Sequence, residues 1–220
     1  MKRMLLGLAT SFAFASATNA VTVTGTFGAP DPGPAAGQSI VVSFDGPNAA
    51  GYSWSSGLAT RCSSFSGAAM PAVGPGGTAS CFGYVSSAIN PNNATLSTPN
   101  LASISFYWGS IDTYNFVDVL GAGGATIFSI AGGLLPPSDG NQGAAPTNRR
   151  VNFVAGPGEI ITGLRLTSTR VAFEFDSFAA ADAINPGGGA VPEPASWAML
   201  LAGFGVVGVA SRRRRRTVAA

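Results

Sequence analysis

Glycine and proline interrupt this chain so often that its body has no room for a long helix. Of 220 residues, 30 are Gly and 15 are Pro, and both residue types favour turns over helix interiors. Short runs of alternating or continuous apolar residues lie between these breaks and indicate β-strands. The runs that we predict as strands cover residues 21–24, 39–44, 101–108, 115–120, 125–130, 151–154, 160–167 and 171–176.

The last of these runs shows the strand pattern most clearly. It places Val171, Phe173 and Phe175 on one face, which we expect to point inward. We expect the intervening Glu174 and Asp176 to lie on a solvated face, where adjacent acids do not predict catalysis. Eight or more strands without helical crossovers predict an all-β fold, a single antiparallel β-sandwich of jelly-roll type.

The types of reactive residue in the chain exclude most familiar enzyme classes. The chain has no His, which removes Ser-His-Asp and Cys-His systems and HExxH zinc sites. Lys2 is the only Lys, so phosphate-binding and Schiff-base lysines are missing from the body. Calcium needs only oxygen ligands, and residues 138–142 are oxygen-rich, but a plain turn is the favoured interpretation. We therefore expect no enzyme activity, no catalytic residue, no metal and no cofactor.

The positive charges of the chain are concentrated at its two ends. The formal net charge is +2, but the body between the ends has five basic and nine acidic residues, giving −4. A mildly acidic body does not attract polyanions. We expect no nucleic-acid partner.

Residues 1–20 are typical of a secretory signal peptide. Lys2 and Arg3 precede an apolar run, and small residues follow it. We predict cleavage after Ala20, with Ala17 as the alternative. An uncleaved N-terminal anchor is less favoured, because the apolar run is short for a membrane span.

The C-terminal segment has the features of a membrane span followed by a basic tail. Residues 195–210 are largely apolar and would form a helix of about 24 Å, with Trp197 at one interface. A stop-transfer basic tail follows, formed by Arg212, Arg213, Arg214, Arg215 and Arg216. The positive-inside rule predicts that this tail stays in the cytoplasm while the body lies outside.

The residues before this span carry a recognisable motif. Pro192, Glu193 and Pro194, with Trp197 and the span and tail that follow, resemble the PEP-CTERM sorting domain in its PEPxxWA form. The resemblance implies that this motif is read by an exosortase, a membrane processing enzyme, and that the tail is removed. It also implies a Gram-negative bacterium that makes exopolysaccharide. The chain then divides into a signal peptide (1–20), an ectodomain (21–183), a Gly/Pro linker (184–191) and a sorting segment (192–220).

Two segments of the body carry a second resemblance. Residues 104–115 and 172–176 are similar to segments of exosortase-dependent bacterial surface proteins with β-sandwich ectodomains. These proteins have no established biochemical activity, so the resemblance implies fold and location only.

The two cysteines, Cys62 and Cys81, predict a structural disulfide. An exported chain meets an oxidising compartment, and the bridge would close a loop rich in Gly, Ser and Ala. The alternative, a pair of reactive thiols, lacks both CxxC spacing and a nearby His or Lys.

One aromatic cluster is a candidate ligand site. Tyr107, Trp108, Asp112 and Tyr114 combine aromatic surfaces with hydrogen-bonding groups, as carbohydrate sites do. The favoured alternative is that Trp108 belongs to the core, because it shares a strand face with Ile104 and Phe106.

Together these patterns predict an exported protein that an exosortase sorts to the cell surface or the extracellular matrix, without catalytic activity and associated with exopolysaccharide or biofilm. The precursor would be anchored transiently in the inner membrane. The alternative function is a carbohydrate-binding module that recognises the exopolysaccharide of the producing cell.

Overall fold

The computed structural model describes residues 20–71, 81–142 and 144–183. The predicted signal peptide up to residue 19, the linker from residue 184 and the sorting segment with its predicted transmembrane helix lie outside these described residues. In the ranges that are described, no helix is both long enough and apolar enough to cross a lipid bilayer.

Strands dominate the described part of the chain, and its only helices there are three short 3₁₀ turns. The strands are β1 (Thr22–Phe27), β2 (Ser39–Val42), β3 (Ser53–Trp54), β4 (Ala59–Arg61), β5 (Phe82–Val85), β6 (Asn93–Gly109), β7 (Asn115–Leu120), β8 (Thr126–Ala131), β9 (Arg149–Val154), β10 (Ile161–Ser168) and β11 (Phe173–Asp182). The 3₁₀ turns span Ala122–Gly124, Gly132–Leu134 and Ala145–Thr147. Each of the eight predicted runs overlaps a strand, while β3, β4, β5 and the first half of β6 were not predicted.

The 17-residue strand β6 organises the sheet. Its first half pairs with β10 and β3, and its second half pairs with β11 and β9, always antiparallel. Pro99 fits within this strand because the register with β10 shifts between Ser97 and Leu101, so its missing N–H interrupts no paired position there.

Hydrogen bonds join the strands into one antiparallel sheet, in the order β4-β5-β11-β6-β10-β7-β8. The strand β2 adds to β11, β9 adds to β6, and β1 adds to β9. The prediction of an all-β antiparallel body is confirmed. The division into a two-layer sandwich with jelly-roll order stays a prediction.

One face of β6 and β11 carries an aromatic core. Trp108 lies 4.5 Å from Phe173 between ring centroids, and Phe106 lies 5.1 Å from Phe178. Trp54 of the short strand β3 packs 5.4 Å from Phe178. Aromatic side chains bury large apolar surfaces, so this cluster contributes strongly to the stability of the fold.

The opposite face of the same strands is polar and also buried. Arg150 of β9 forms an ion pair with Asp31, and its guanidinium also donates to Ser105 Oγ at 3.1 Å and to the carbonyl oxygen of Ser177 at 2.9 Å. The loop between β1 and β2, which carries Asp31, covers this face. Gln38 from the same loop donates to Ser103 Oγ at 2.9 Å.

This covered polar face corrects part of the sequence analysis. Glu174 and Asp176, expected on a solvated face, are only 3% and 4% exposed. They point away from the aromatic core, as the alternation predicted, but Glu174 is covered by a loop from a distant part of the sequence, whose Ala69 bonds to it. Val171, which was expected to point inward, is 46% exposed and lies before β11 begins.

The predicted disulfide between Cys62 and Cys81 is present. It joins the end of β4 to the start of β5, and we call the described residues between these strands, 62–71 and 81, the disulfide loop. In this loop, Ala68 packs with Phe82 and Tyr84 in a small second core. The bridge therefore holds a loop that covers part of the sheet.

Replacing both cysteines with serine is expected to lower the free energy of unfolding by about 3 kcal/mol, because the open chain regains the entropy that the bridge removes. The melting temperature should fall by several degrees in a domain of this size. Thermal denaturation with and without dithiothreitol measures this. Reductant should lower the wild-type value to that of the variant and leave the variant unchanged. Free thiols in exported wild-type protein would contradict the prediction.

Candidate functional site

A polar pocket lies where β6 ends and β11 begins. Its volume is about 370 Å³, and Gly109 and Glu174 sit opposite each other in the strand register at its inner end. Four segments line it: the disulfide loop, the turn between β6 and β7, the loop before β9, and the start of β11. The side chains that reach it include Phe65, Ser110, Asp112, Tyr114, Asp139 and Glu174.

Glu174 is the most buried acid that lines the pocket. One carboxylate oxygen accepts a hydrogen bond from the backbone N–H of Ala69 at 2.9 Å, and the other accepts from Ser110 Oγ at 3.4 Å. Burial raises the pKa of Glu174 to about 7, since the charged form loses its hydration, and the N–H of Ala69 opposes this rise. Asp112 adds to the rise by like-charge repulsion. Glu174 therefore changes its charge near neutral pH.

Asp112 and Tyr114 form the second polar wall. The hydroxyl of Tyr114 lies within hydrogen-bond distance of two acceptors, the carbonyl oxygen of Val171 at 3.0 Å and the Asp112 carboxylate, which compete for its single proton. Burial raises the pKa of Asp112, the bond with Tyr114 opposes this, and Asp139 adds a smaller rise. Burial is also the main cause of the raised pKa of Tyr114.

The loop before β9 is shaped to fit this wall. Gly140 has a φ of +67°, and a Cβ at its position would lie 2.5 Å from the Asp112 carboxylate. Glycine is therefore required both for the backbone conformation and for the close approach. Asp139 pairs with Asp112 through an isolated β-bridge, so the two acids lie on facing segments of the pocket.

A different part of the chain shows how the protein is sorted. Residues 190–216 match the sequence model of the PEP-CTERM protein-sorting motif. This chain carries a PEP-CTERM motif. No curated protein and no solved structure matches this chain. The PEP-CTERM motif confirms the resemblance carried by Pro192, Glu193, Pro194 and Trp197.

The PEP-CTERM motif implies exosortase-dependent sorting of an exported surface protein. The precursor of such a protein is anchored in a membrane, and the exosortase is its processing partner. The match covers 27 of the 220 residues. It therefore bears on sorting and not on the chemistry of the body of the chain.

The structure separates the four residues of the predicted carbohydrate contact. Asp112 and Tyr114 line the pocket, but Tyr107 and Trp108 are fully buried. Trp108 belongs to the aromatic core, which was the favoured interpretation. Tyr107 donates its hydroxyl to the carbonyl oxygen of Gly28 at 2.6 Å under the loop between β1 and β2. Neither of these two residues can present a surface to a sugar in this conformation.

Sequence reasoning missed the pocket residues that come from elsewhere in the chain. Glu174 was assigned to solvent, and Phe65 and Ser110 were not considered. The oxygen-rich residues 138–142 were interpreted as a turn, and the backbone N–H of Asn141 does bond to Asp139 Oδ1 at 3.2 Å, as in such turns. Among the described residues, no group of three or more His, Cys, Asp or Glu side chains is arranged to hold a metal ion.

The pKa of Glu174 predicts a fall in stability as pH rises. Between the unfolded value of 4.5 and the folded value of about 7, the folded state binds more protons than the unfolded state, so raising the pH favours unfolding. The shift corresponds to about 3 kcal/mol. The variant E174Q cannot ionise. Its amide oxygen can still accept from the N–H of Ala69, while its amide nitrogen would donate to Ser110 Oγ rather than accept from it. We expect it to lack this fall and to be more stable than wild type at pH 8.

Urea denaturation at several pH values from 4.5 to 8 measures this difference. The matched control is E159Q, because Glu159 is the other glutamate among the described residues and is only partly buried. Its pH profile should follow that of wild type. If E174Q showed the same fall in stability as wild type, Glu174 would not be the group responsible.

Proposed function

We propose that this protein is a non-catalytic component of the cell surface or extracellular matrix, exported by its signal peptide and processed by an exosortase. The observation that carries the proposal is the PEP-CTERM motif at residues 190–216. The signal-peptide pattern at residues 1–20 supports it, because an N-terminal export signal is consistent with a C-terminal sorting signal.

The finer parts of the proposal concern topology. The basic tail, Arg212 to Arg216, stays in the cytoplasm until processing, and the ectodomain lies outside the inner membrane. The mature protein then leaves the membrane for the surface or the matrix, where it associates with exopolysaccharide. Nucleic acid is not a partner, since the body carries a charge of −4.

The absence of catalysis is supported by the residue inventory and by the contacts of Glu174. The chain has no His, which leaves carboxylates as the main acid and base groups. Glu174 and Asp112 share one pocket, an arrangement that glycosidases also use. Both oxygens of Glu174, however, are engaged by Ala69 and Ser110, which supports a structural and binding role for this acid.

A second candidate function is a carbohydrate-binding module. The observation that favours it is the pocket itself, which places Asp112 and Tyr114 in a concave polar site. The two candidates are compatible, because a matrix protein can be sorted by its tail and hold polysaccharide by its body.

The test compares the mature C-terminus of the protein in cells with and without an active exosortase, by fractionation and mass spectrometry. We expect cells with the active enzyme to release or display a protein that lacks the tail, and cells without it to retain the full chain in the inner membrane. An intact Arg tail in both strains would overturn the proposal. Release of new reducing ends from polysaccharide by the purified protein would contradict the absence of catalysis.

A further inference from the structure

We propose that the pocket between the disulfide loop and the start of β11 binds one unit of a neutral polysaccharide. This inference rests on the proposed association with exopolysaccharide and names the site and the class of ligand. It replaces the predicted contact through Tyr107 and Trp108, which are buried.

The shape and size of the pocket limit what it can hold. Its volume of about 370 Å³ lies at the low end of the range of about 300–1,000 Å³ for small-molecule pockets. It suits a small unit of a polymer better than a long stretch of chain. The walls come from four segments that are held to one another: Ala69 bonds to Glu174, and Asp139 bridges to Asp112. The pocket is therefore largely formed before a ligand arrives.

The polar walls of the pocket offer both hydrogen-bond donors and acceptors. The carboxylates of Asp112 and Asp139 accept hydrogen bonds, and Ser110 and Gln142 can both donate and accept them. A sugar ring presents hydroxyl groups along its edge that donate and accept in the same way. Glu174 takes part indirectly, since its bonds hold Ser110 and the disulfide loop in position.

Two exposed apolar side chains also line the pocket. Phe65 is 44% exposed and Val171 is 46% exposed, and both line the pocket. The ring of Phe65 is held in place by an edge contact with Tyr84 at 5.7 Å, with the guanidinium of Arg61 5.3 Å from its centroid. An exposed, fixed aromatic ring beside hydrogen-bonding groups suits the apolar face of a sugar.

The charge of the lining selects among sugars. Among the described residues that line the pocket, Asp112, Asp139 and Glu174 are acids and none is basic. Arg61 and Arg170 are not part of the lining but lie over the rings of Phe65 and Tyr114. A uronic acid would bring a further negative charge next to the carboxylates of Asp112 and Asp139 and would be repelled. A neutral sugar meets no such repulsion, which is why we assign the site to neutral polymers.

The test uses the full chain, purified in mild detergent, in affinity electrophoresis through gels that contain a polymer. The neutral polymers are dextran, a β-1,3-glucan, a mannan and a galactomannan, and alginate represents uronic acids. We expect retardation by at least one neutral polymer and weaker or no retardation by alginate. The variants F65A and D112N should each weaken retention about tenfold.

The matched control is F116A. Phe116 of β7 is 38% exposed, similar to Phe65, but it does not line the pocket. This variant should be retained as strongly as wild type, and thermal melts should show that all the variants are folded. Failure of all neutral polymers to retain the protein, stronger retention by alginate, or equal losses in F65A and F116A would overturn the inference.

Failure of this inference can be told apart from failure of the proposed sorting. Retention is measured on a chain whose tail is intact, so it does not depend on the exosortase. A protein that is processed normally but is not retained by any neutral polymer contradicts only the sugar site.

Discussion

Changing Pro192-Glu193-Pro194 to three alanines should leave the precursor uncut in the inner membrane. The predicted signal peptide is untouched, so export should proceed. Without the motif, the exosortase has nothing to recognise, and the apolar segment at residues 195–210 should hold the protein in the bilayer. We expect the membrane fraction to contain most of the protein with an intact Arg tail, as seen by mass spectrometry of the C-terminus.

Two companion variants separate recognition from anchoring. A chain truncated after Gly189 should give an exported body that the membrane does not retain, because both motif and span are gone. Changing Arg212 to Arg216 to glutamine should weaken stop-transfer and give mixed topology. If the triple-alanine protein still lost its tail at the wild-type rate, the Pro-Glu-Pro sequence would not be what the exosortase reads.

Replacing Asp31 with alanine should lower the free energy of unfolding by about 3–5 kcal/mol. The Arg150–Asp31 ion pair lies under the loop between β1 and β2, with side-chain exposures of 3% and 0%. The variant would leave a buried guanidinium without its counter-charge, although the bonds to Ser105 and Ser177 remain. Since domains are stable by about 5–15 kcal/mol, this is a large share of the total, and urea denaturation would measure it.

The matched control is the second ion pair of the described residues, Arg165–Asp118, whose side chains are 41% and 23% exposed. Water already stabilises these charges, so D118A should cost about 0–1 kcal/mol. The double variant D31A/R150M should recover much of the stability lost in D31A, because it removes the stranded charge as well. Equal losses in D31A and D118A would show that burial does not set the value of the Arg150–Asp31 pair.

Local pattern was enough to predict most of the strands. The alternation of Phe173 and Phe175 placed both correctly in the core, because the side-chain period of a strand is a local property. The short strand β5 was not predicted, since Gly83 interrupts its apolar pattern. A Cβ at Gly83 would lie 2.5 Å from the ring of Phe44 and 2.6 Å from that of Phe175, so this glycine serves a contact with distant residues that the local sequence does not show.

The local sequence pattern could not predict the pocket, for a related reason. Alternation assigns Glu174 to the face opposite Phe173 and Phe175, which is correct, but it does not say what covers that face. The cover comes from Ala69, more than 100 positions earlier, through the disulfide loop. Asp112 and Tyr114 were identified because they cluster in the sequence, while Trp108, from the same cluster, alternates to the core side. Grouping by proximity in the sequence therefore placed Asp112 and Tyr114 together correctly, but it joined them to Tyr107 and Trp108, which are buried and do not line the pocket.

The position of β11 in the sheet governs the order in which the exported body can fold. This last strand lies in the interior, with β5 and β2 on one side and β6 on the other, and it supplies Phe173, Phe175 and Phe178 to the core. In a chain threaded through the membrane from its N-terminus, the earlier strands wait with unpaired edges until residue 182 has crossed. The Pro-Glu-Pro sequence of the sorting motif begins only ten positions later. Completion of the sheet and arrival of the sorting motif thus fall close together in translocation.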